Sequence, residues 1–247
     1  MPPRIHVDTP LAAGTAFTLP AGASRHVQVL RLQPGDAITL FDGSGGEWQA
    51  EVLDMGRKAV QARLLAHQPL ERELHTSVTL ALGMPANERM DSLVEKATEL
   101  GVAHIVPLVC ERSVLRLSGE RAERRSAHWQ AVAVAACEQS GRNRVPQIHA
   151  PQPLRDWLAS MPAGGMRLVL SLADDTQPLH RRLAMGGAAV ISLLSGPEGG
   201  LAPAELAAAA AAGHLPTSLG ARVLRADTAP LAALAVIAAL DLSGSPA

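Results

Sequence analysis

Leu193-Leu194-Ser195-Gly196-Pro197-Glu198-Gly199-Gly200-Leu201, followed by Leu219-Gly220-Ala221-Arg222-Val223-Leu224-Arg225-Ala226-Asp227-Thr228-Ala229, decides how this chain is read. In each stretch a run with strand character ends in a glycine-bearing loop, and the loop opens into an alanine-rich helical segment. Glycine lets main-chain amides and carbonyls come close to a ligand, because no Cβ stands in the way. Two such loops after adjacent strands can hold one flat, polar ligand by main-chain hydrogen bonds. Each loop alone also suits a plain strand-to-helix turn, so the pairing of the two carries the reading.

Outward from these loops, strands alternate with helices from about residue 77. Val78-Thr79-Leu80-Ala81-Leu82 is an apolar run. Met90, Leu93, Val94, Ala97 and Leu100 then fall at helical spacing, with Gly101 where a C-terminal cap belongs. Ile105–Val109, Leu168–Leu170, Ala189–Leu194 and a weaker run over Leu215–Leu219 complete an α/β domain with a mainly parallel sheet. Residues 4 to about 70 read instead as short alternating β runs divided by turns such as Pro34-Gly35-Asp36 and Asp42-Gly43-Ser44-Gly45-Gly46, the pattern of a small barrel. Pro69–Leu74 reads as a linker, and the expected domains are 1–72 and 73–247.

The chain of 247 residues is 47% hydrophobic with scattered charge, as globular proteins are. Met1-Pro2-Pro3-Arg4 leads into alternating residues and not a long apolar run, and the longest apolar stretch, Ala229–Leu240, is too short to span a bilayer. Two cysteines, Cys110 and Cys137, make no disulfide framework. A soluble, cytoplasmic protein without a membrane partner is expected. The net charge of -1 is unusual for a protein that holds nucleic acid. Charge is uneven, however: Cys110–Val145 holds seven arginines against four glutamates, a local excess of +3. A solvated helix face with balanced pairs explains that segment equally well. Aromatic residues are scarce, with no Tyr, two Phe and three Trp, so a base-stacking platform is not expected. Nine histidines show no metal-ligand spacing, and no metal is expected.

The two loops together resemble the cofactor-binding loops of the SPOUT methyltransferases, and in detail those of the bacterial 16S rRNA uridine-N3 methyltransferases. Arg89-Met90-Asp91 through Glu95–Val102, Ala136–Pro146 with its Arg142-Asn143-Arg144, and His26–Asp36 are similar to the same family, so the likeness runs along nearly the whole chain. It implies a C-terminal SPOUT domain with a deep trefoil knot, preceded by a PUA-like β-barrel. It also implies S-adenosylmethionine as cofactor and methylation of uridine N3 in 16S rRNA, within an assembled or nearly assembled small subunit. A homodimer is implied too, for which the apolar stretch Leu231–Leu240 is a candidate interface; core packing suits that stretch almost as well.

By this resemblance the cofactor contacts are Leu194, Gly196, Pro197, Glu198, Gly199, Gly200, Leu219, Gly220, Val223, Leu224, Arg225 and Thr228. RNA contacts fall on Arg25, His26, Arg31, Arg112, Arg142, Asn143, Arg144 and Arg222. Uracil N3 must lose its proton to attack, and a cation near O2 or O4 would stabilise the anion. Arg142 and Arg144 are the catalytic candidates, with Arg25 and Arg31 as further ones. The family carries Ser or Thr where Ala202 stands, so the helix entered at Pro203 lacks its side-chain cap, and Ala202→Ser is expected to stabilise it. Cys137 reads as a small buried residue and not as a nucleophile. Two other readings remain: a SPOUT enzyme methylating ribose 2′-hydroxyls of tRNA or rRNA, and a non-catalytic RNA-binding assembly factor that has lost its cofactor.

Overall fold

The computed structural model describes residues 2–12, 16–85, 87–186 and 188–242. The chain divides into two compact units: residues 1–73 with 134–145, and 74–133 with 146–247. The first break lies one residue from the expected boundary. The return of residues 134–145 to the first unit is not contained in a division at 72/73.

The first unit holds β1 (Arg4–His6), β2 (Ala16–Thr18), α1 (Ala21–Val29), β3 (Ala37–Phe41), β4 (Glu47–Met55) and β5 (Val60–Gln68). The strands form one sheet in the order β1-β3-β4-β5-β2, antiparallel except for the β1–β3 pair. Alternation along β3, β4 and β5 sends Ile38, Leu40, Ala50, Val52, Val60, Ala62 and Leu64 into one core with Ile5 and Val7. The all-β reading of this region missed α1. Its Ala23, Ser24 and Val27 fall on one face and cover that core, and the Ser24 hydroxyl donates to the Leu19 carbonyl while accepting from the Val60 amide. Arg31, just past the helix, sits at φ +56, where glycine is the usual occupant.

Residues 134–145 join this unit through a buried ionic cluster. Arg4 donates to the Glu47 carboxylate, to the Asn143 side-chain oxygen at 2.6 Å and to the Arg142 carbonyl at 3.1 Å. Arg72 donates to Glu47 as well. Burial alone would raise the Glu47 pKa, but the hydrogen bonds from Arg4 and Arg72 outweigh it and hold the carboxyl below its ordinary value.

The second unit carries β6 (Ser77–Gly83), α2 (Asn87–Glu99), β7 (His104–Val109), the first part of α3 (Gly119–Ser140), β8 (Gln147–Ile148), β9 (Gln152–Pro153), α4 (Leu154–Ser160), β10 (Met166–Leu170), β11 (Gln177–Pro178), α5 (Leu179–Ala184), β12 (Val190–Ser195), α6 (Pro203–Ala211), β13 (Leu215–Ser218) and α7 (Thr228–Leu242). Its sheet runs β11-β13-β10-β12-β6-β7-β8, with β9 also pairing β7, and every pair is parallel. The later strand β12 therefore lies between the earlier strands β6 and β10. Buried on both faces, β6 and β12 read as continuous apolar runs, as central parallel strands do.

Helix α2 buries Met90, Leu93, Val94 and Ala97 at the spacing read from sequence and ends at Gly101, φ +94. Asp91 fixes its first turns, accepting from Trp129 Nε1 at 2.9 Å and pairing with His128 Nε2 at 2.8 Å on α3. Helix α7 buries Ala233, Leu234 and Ile237, so part of the stretch Leu231–Leu240 is core. Near its end Asp241 accepts the amides of His75 and Thr76.

Candidate active site

The parallel strands β10, β12 and β13 end side by side, and their outgoing loops enclose a cavity of about 610 Å³ in the second unit. In open α/β sheets ligands settle outside the carboxyl ends of such strands, where strand order changes direction. The sheet does so here, because β7 lies to one side of β6 while β12, β10 and β13 lie to the other.

The first wall is Ser195–Leu201. Pro197 and Gly200 close a turn, with the Gly200 amide donating to the Pro197 carbonyl at 2.8 Å and Gly200 at φ +69. The floor beneath this turn is tight. A Cβ on Gly83, the last residue of β6, would lie 2.4 Å from both the nitrogen and the Cδ of Pro197. A Cβ on Gly196 would lie 3.0 Å from the Leu201 nitrogen. Arg112 braces the outer side, donating through Nη1 to the Gly199 carbonyl at 3.1 Å. Ala202 has extended backbone and no side-chain cap, as expected; Glu205 accepts its amide at 2.9 Å and the Glu111 amide at 2.8 Å, which anchors the loop to the start of α6.

The second wall is Leu219 and Arg222–Ala226, closed onto α7 by the Thr228 and Ala229 amides, which both donate to the Arg225 carbonyl. The third wall is Leu170-Ser171-Leu172 at the end of β10, where the Ser171 amide donates to the Thr217 carbonyl. Arg89, from α2, reaches the same cavity and pairs with Glu198 at 3.5 Å. Among the described residues the lining thus carries three arginines, Arg89, Arg222 and Arg225, and one carboxylate, Glu198. Val223 is 81% exposed and Leu172 60% exposed, so the lip is apolar.

Of the residues expected at the cofactor, Gly196, Pro197, Glu198, Gly199, Gly200, Leu219, Val223, Leu224 and Arg225 line the cavity. Leu194 is buried beneath it in β12, and Gly220 and Thr228 lie outside the lining. Arg222, assigned to RNA, lines it too. Leu170, Ser171, Leu172, Thr217, Gly83 and Arg89 were not singled out. The first four follow from strand ends whose neighbours only the sheet order reveals. Arg89 belongs to the Arg89-Met90-Asp91 motif, whose sequence carries no signal of where the side chain points.

The structure does not present the Arg142 and Asn143 side chains to RNA, and so corrects the expectation for both. Arg142 is 4% exposed and its guanidinium forks onto the Glu73 carboxylate. Asn143 is fully buried, donating to the Leu70 carbonyl at 2.6 Å. The physical reason lies in the segment read as a linker, whose Glu71 and Glu73 supply the countercharges. Arg144 remains exposed, paired with Glu71 at 3.2 Å. Arg25, Arg31 and Arg112 are exposed, while His26 is half-buried against Glu138 at 3.3 Å. Burial pushes the Cys137 thiol up to about 12, which keeps it protonated and unsuited to nucleophilic work.

A parallel sheet whose strand ends open on a cavity floored by main chain and rimmed by arginine defines a binding site for a flat, polar, partly anionic small molecule. Pockets in this position are where α/β proteins hold small ligands. The chain belongs to the RNA methyltransferase family: the family's RNA methyltransferase domain matches residues 72–238, and its RNA methyltransferase PUA domain matches residues 19–65. A ribosomal RNA small subunit methyltransferase E of Synechocystis is 37% identical over 215 residues, which covers 86% of this chain and 69% of the relative. The crystal structure of the enzyme of that name from Neisseria gonorrhoeae, bound to S-adenosylmethionine, is 35% identical with a TM-score of 0.90, covering 97% of this chain and 98% of that one. A Legionella pneumophila methyltransferase solved with its cofactor SAM bound is 32% identical, with the same coverage and a TM-score of 0.90.

Proposed function

We propose that this chain transfers a methyl group from S-adenosylmethionine to N3 of a uridine in 16S small-subunit rRNA. The single observation that carries the reading is the cavity that the two glycine-bearing loops share with the end of β10. Its size, about 610 Å³, suits a nucleoside-sized ligand. Its cradle suits one as well: Gly196, Gly199 and Gly200 line it without side chains, and a side chain at Gly83 or Gly196 would collide with the turn. Leu170, Leu172, Leu219, Val223 and Leu224 supply apolar faces for an adenine ring, and Arg222 and Arg225 supply charge for a carboxylate.

When bound, S-adenosylmethionine supplies a methyl group on a positively charged sulfur. The chain's own residues bind, orient and keep water away, which is catalysis by proximity. Uracil N3 lies on the pairing edge, so the target base enters unpaired or turned out of its helix. Arg25, Arg31, Arg112 and Arg144 are among the exposed cations and are the ones assigned here to rRNA, with Arg222 in the cavity lining. The substrate is the assembled or nearly assembled small subunit, and the enzyme works in the cytoplasm as a homodimer whose interface takes up the apolar lip at Val223 and Leu172. We also read the insertion of β12 between β6 and β10 as the deep trefoil knot of SPOUT enzymes.

Calorimetry with S-adenosylmethionine, beside a Gly199→Leu variant, tests the cofactor half of this reading, with micromolar binding by the wild type and its loss in the variant expected. Mass analysis of nucleosides from treated small subunits tests the other half, with 3-methyluridine expected. A 2′-O-methylated product, or no cofactor binding with or without rRNA, would overturn it.

A further inference from the structure

Methylation at N3 needs a cation to hold the uracil while its ring carries negative charge. The two arginines singled out from sequence are already engaged: Arg142 is buried on Glu73, and Arg144 pairs with Glu71. The cavity has three arginines of its own, and they differ in how they are held. Arg222 and Arg225 are exposed and stand on the loop before α7. Arg89 stands on a helix, α2, whose first turns are fixed by Asp91 against Trp129 and His128 and by the burial of Met90. Its guanidinium meets Glu198 on the first loop at 3.5 Å while its side chain keeps 40% exposure, so it is oriented yet still reachable. Stabilisation of developing charge is strongest when the donor is fixed before the reaction begins. A guanidinium also offers parallel N–H donors that fit a carbonyl oxygen bearing charge.

We propose that Arg89 is the catalytic cation of this site: it donates to a carbonyl oxygen of the target uracil and stabilises the N3 anion, with Glu198 orienting it. This rests on the uridine-N3 reading above. The N3 proton leaves to water, and the negative charge spreads onto the ring oxygens beside Arg89. The N3 lone pair then forms the bond to the methyl carbon as the carbon–sulfur bond breaks, and that bond's electron pair stays on the sulfur. The products are neutral 3-methyluridine, neutral S-adenosylhomocysteine and one released proton.

The test compares the full-length wild type with Arg89→Gln and Arg89→Lys on small subunits lacking the modification. Calorimetry is expected to show unchanged S-adenosylmethionine affinity in both variants. At saturating cofactor, Arg89→Gln is expected to lower kcat near neutral pH by about 10²- to 10³-fold, the loss typical of removing one donor to a developing oxyanion. The rising limb of its pH–rate profile is expected to move to higher pH, since the bound uracil no longer has its proton loss assisted. Arg89→Lys is expected to recover part of the rate. Subunits carrying 5-fluorouridine, whose N3 proton is more acidic, are expected to narrow the gap between Arg89→Gln and the wild type. A weakened cofactor affinity with unchanged saturated rate would overturn the proposal and make Arg89 a cofactor ligand. An equal loss at every pH with no gain from 5-fluorouridine would reduce it to a structural role. A wild type that yields no 3-methyluridine would remove the uridine-N3 reading and this proposal together, whereas a wild type that yields it beside a fully active Arg89→Gln would sink this proposal alone.

Discussion

Gly83→Ala isolates the contact on which the first cofactor loop rests. The added Cβ would lie 2.4 Å from the nitrogen and Cδ of Pro197 and 3.0 Å from the carbonyl carbon of Gly196. Ordinary contact begins at 3.4 Å, so Pro197 must retreat by about 1 Å. All three atoms belong to the Gly196-Pro197 segment of the loop, not to the free end of a flexible side chain, so there is no cheap rearrangement. Overpacking of this kind costs about 1–3 kcal/mol, which for a chain of this size lowers Tm by about 2–12 °C. A shift of that size in a cradle built from main chain is worth up to about a hundredfold in function. The assay is calorimetric titration with S-adenosylmethionine beside a thermal melt. Gly22→Ala serves as control: nothing lies within 4 Å of its added Cβ, and it lies in α1, where alanine is the better helix former. Wild-type affinity and Tm in Gly83→Ala would refute the reasoning, as would an equal loss in Gly22→Ala.

Ala202→Ser restores an N-cap at a residue whose backbone is already extended, and is expected to add up to about 1 kcal/mol; a flat or lowered melting temperature would count against it. Arg142→Met strips Glu73 of its buried partner and is expected to cost about 3–5 kcal/mol, much of it regained in Arg142→Met/Glu73→Leu; urea midpoints of the two variants decide it. His214 is 2% exposed against Trp157, and burial lowers its pKa to about 4. The unfolded chain therefore binds this proton first, so the contribution of the neutral ring is complete above pH 6.5 and is lost as pH falls toward 4, by about 3 kcal/mol in all. Urea midpoints between pH 7 and 4.5 are expected to fall less steeply in His214→Leu, and an unchanged slope would exclude the ring as the cause.

The loops were readable because glycine, proline and strand-end residues carry local meaning, and local meaning is what a sequence displays most openly. Gly196 through Gly200 and Leu219 through Arg225 were found that way, and most of them line the cavity. Arg142-Asn143-Arg144 misled for the complementary reason. A glycine followed by polar residues looks like a surface loop, and nothing local announces that Glu71 and Glu73, some seventy positions earlier, neutralise it. Gly83 and Arg89 were silent because their partners, Pro197 and Glu198, lie more than a hundred positions away. Helix α1 was missed because three buried positions in nine residues make a weak periodic signal beside the strands around it.

The strand order sets a timetable for synthesis. A ribosome delivers this chain from its amino end, at some 5–20 residues per second. When β10 has emerged, β6 has been made for many residues, yet the two cannot be neighbours, because the slot between them belongs to β12. Both carry unpaired backbone edges until then, the kind of surface that invites pairing with another chain. Leu170 to Leu172 arrive with β10, but the other two walls of the cavity come later still, from Ser195 onward and then from Leu219 to Ala229. A nascent chain that already displays Arg89 on its helix therefore has nowhere to hold a methyl donor, and cofactor added during translation would stabilise only chains in which the last of these segments has arrived.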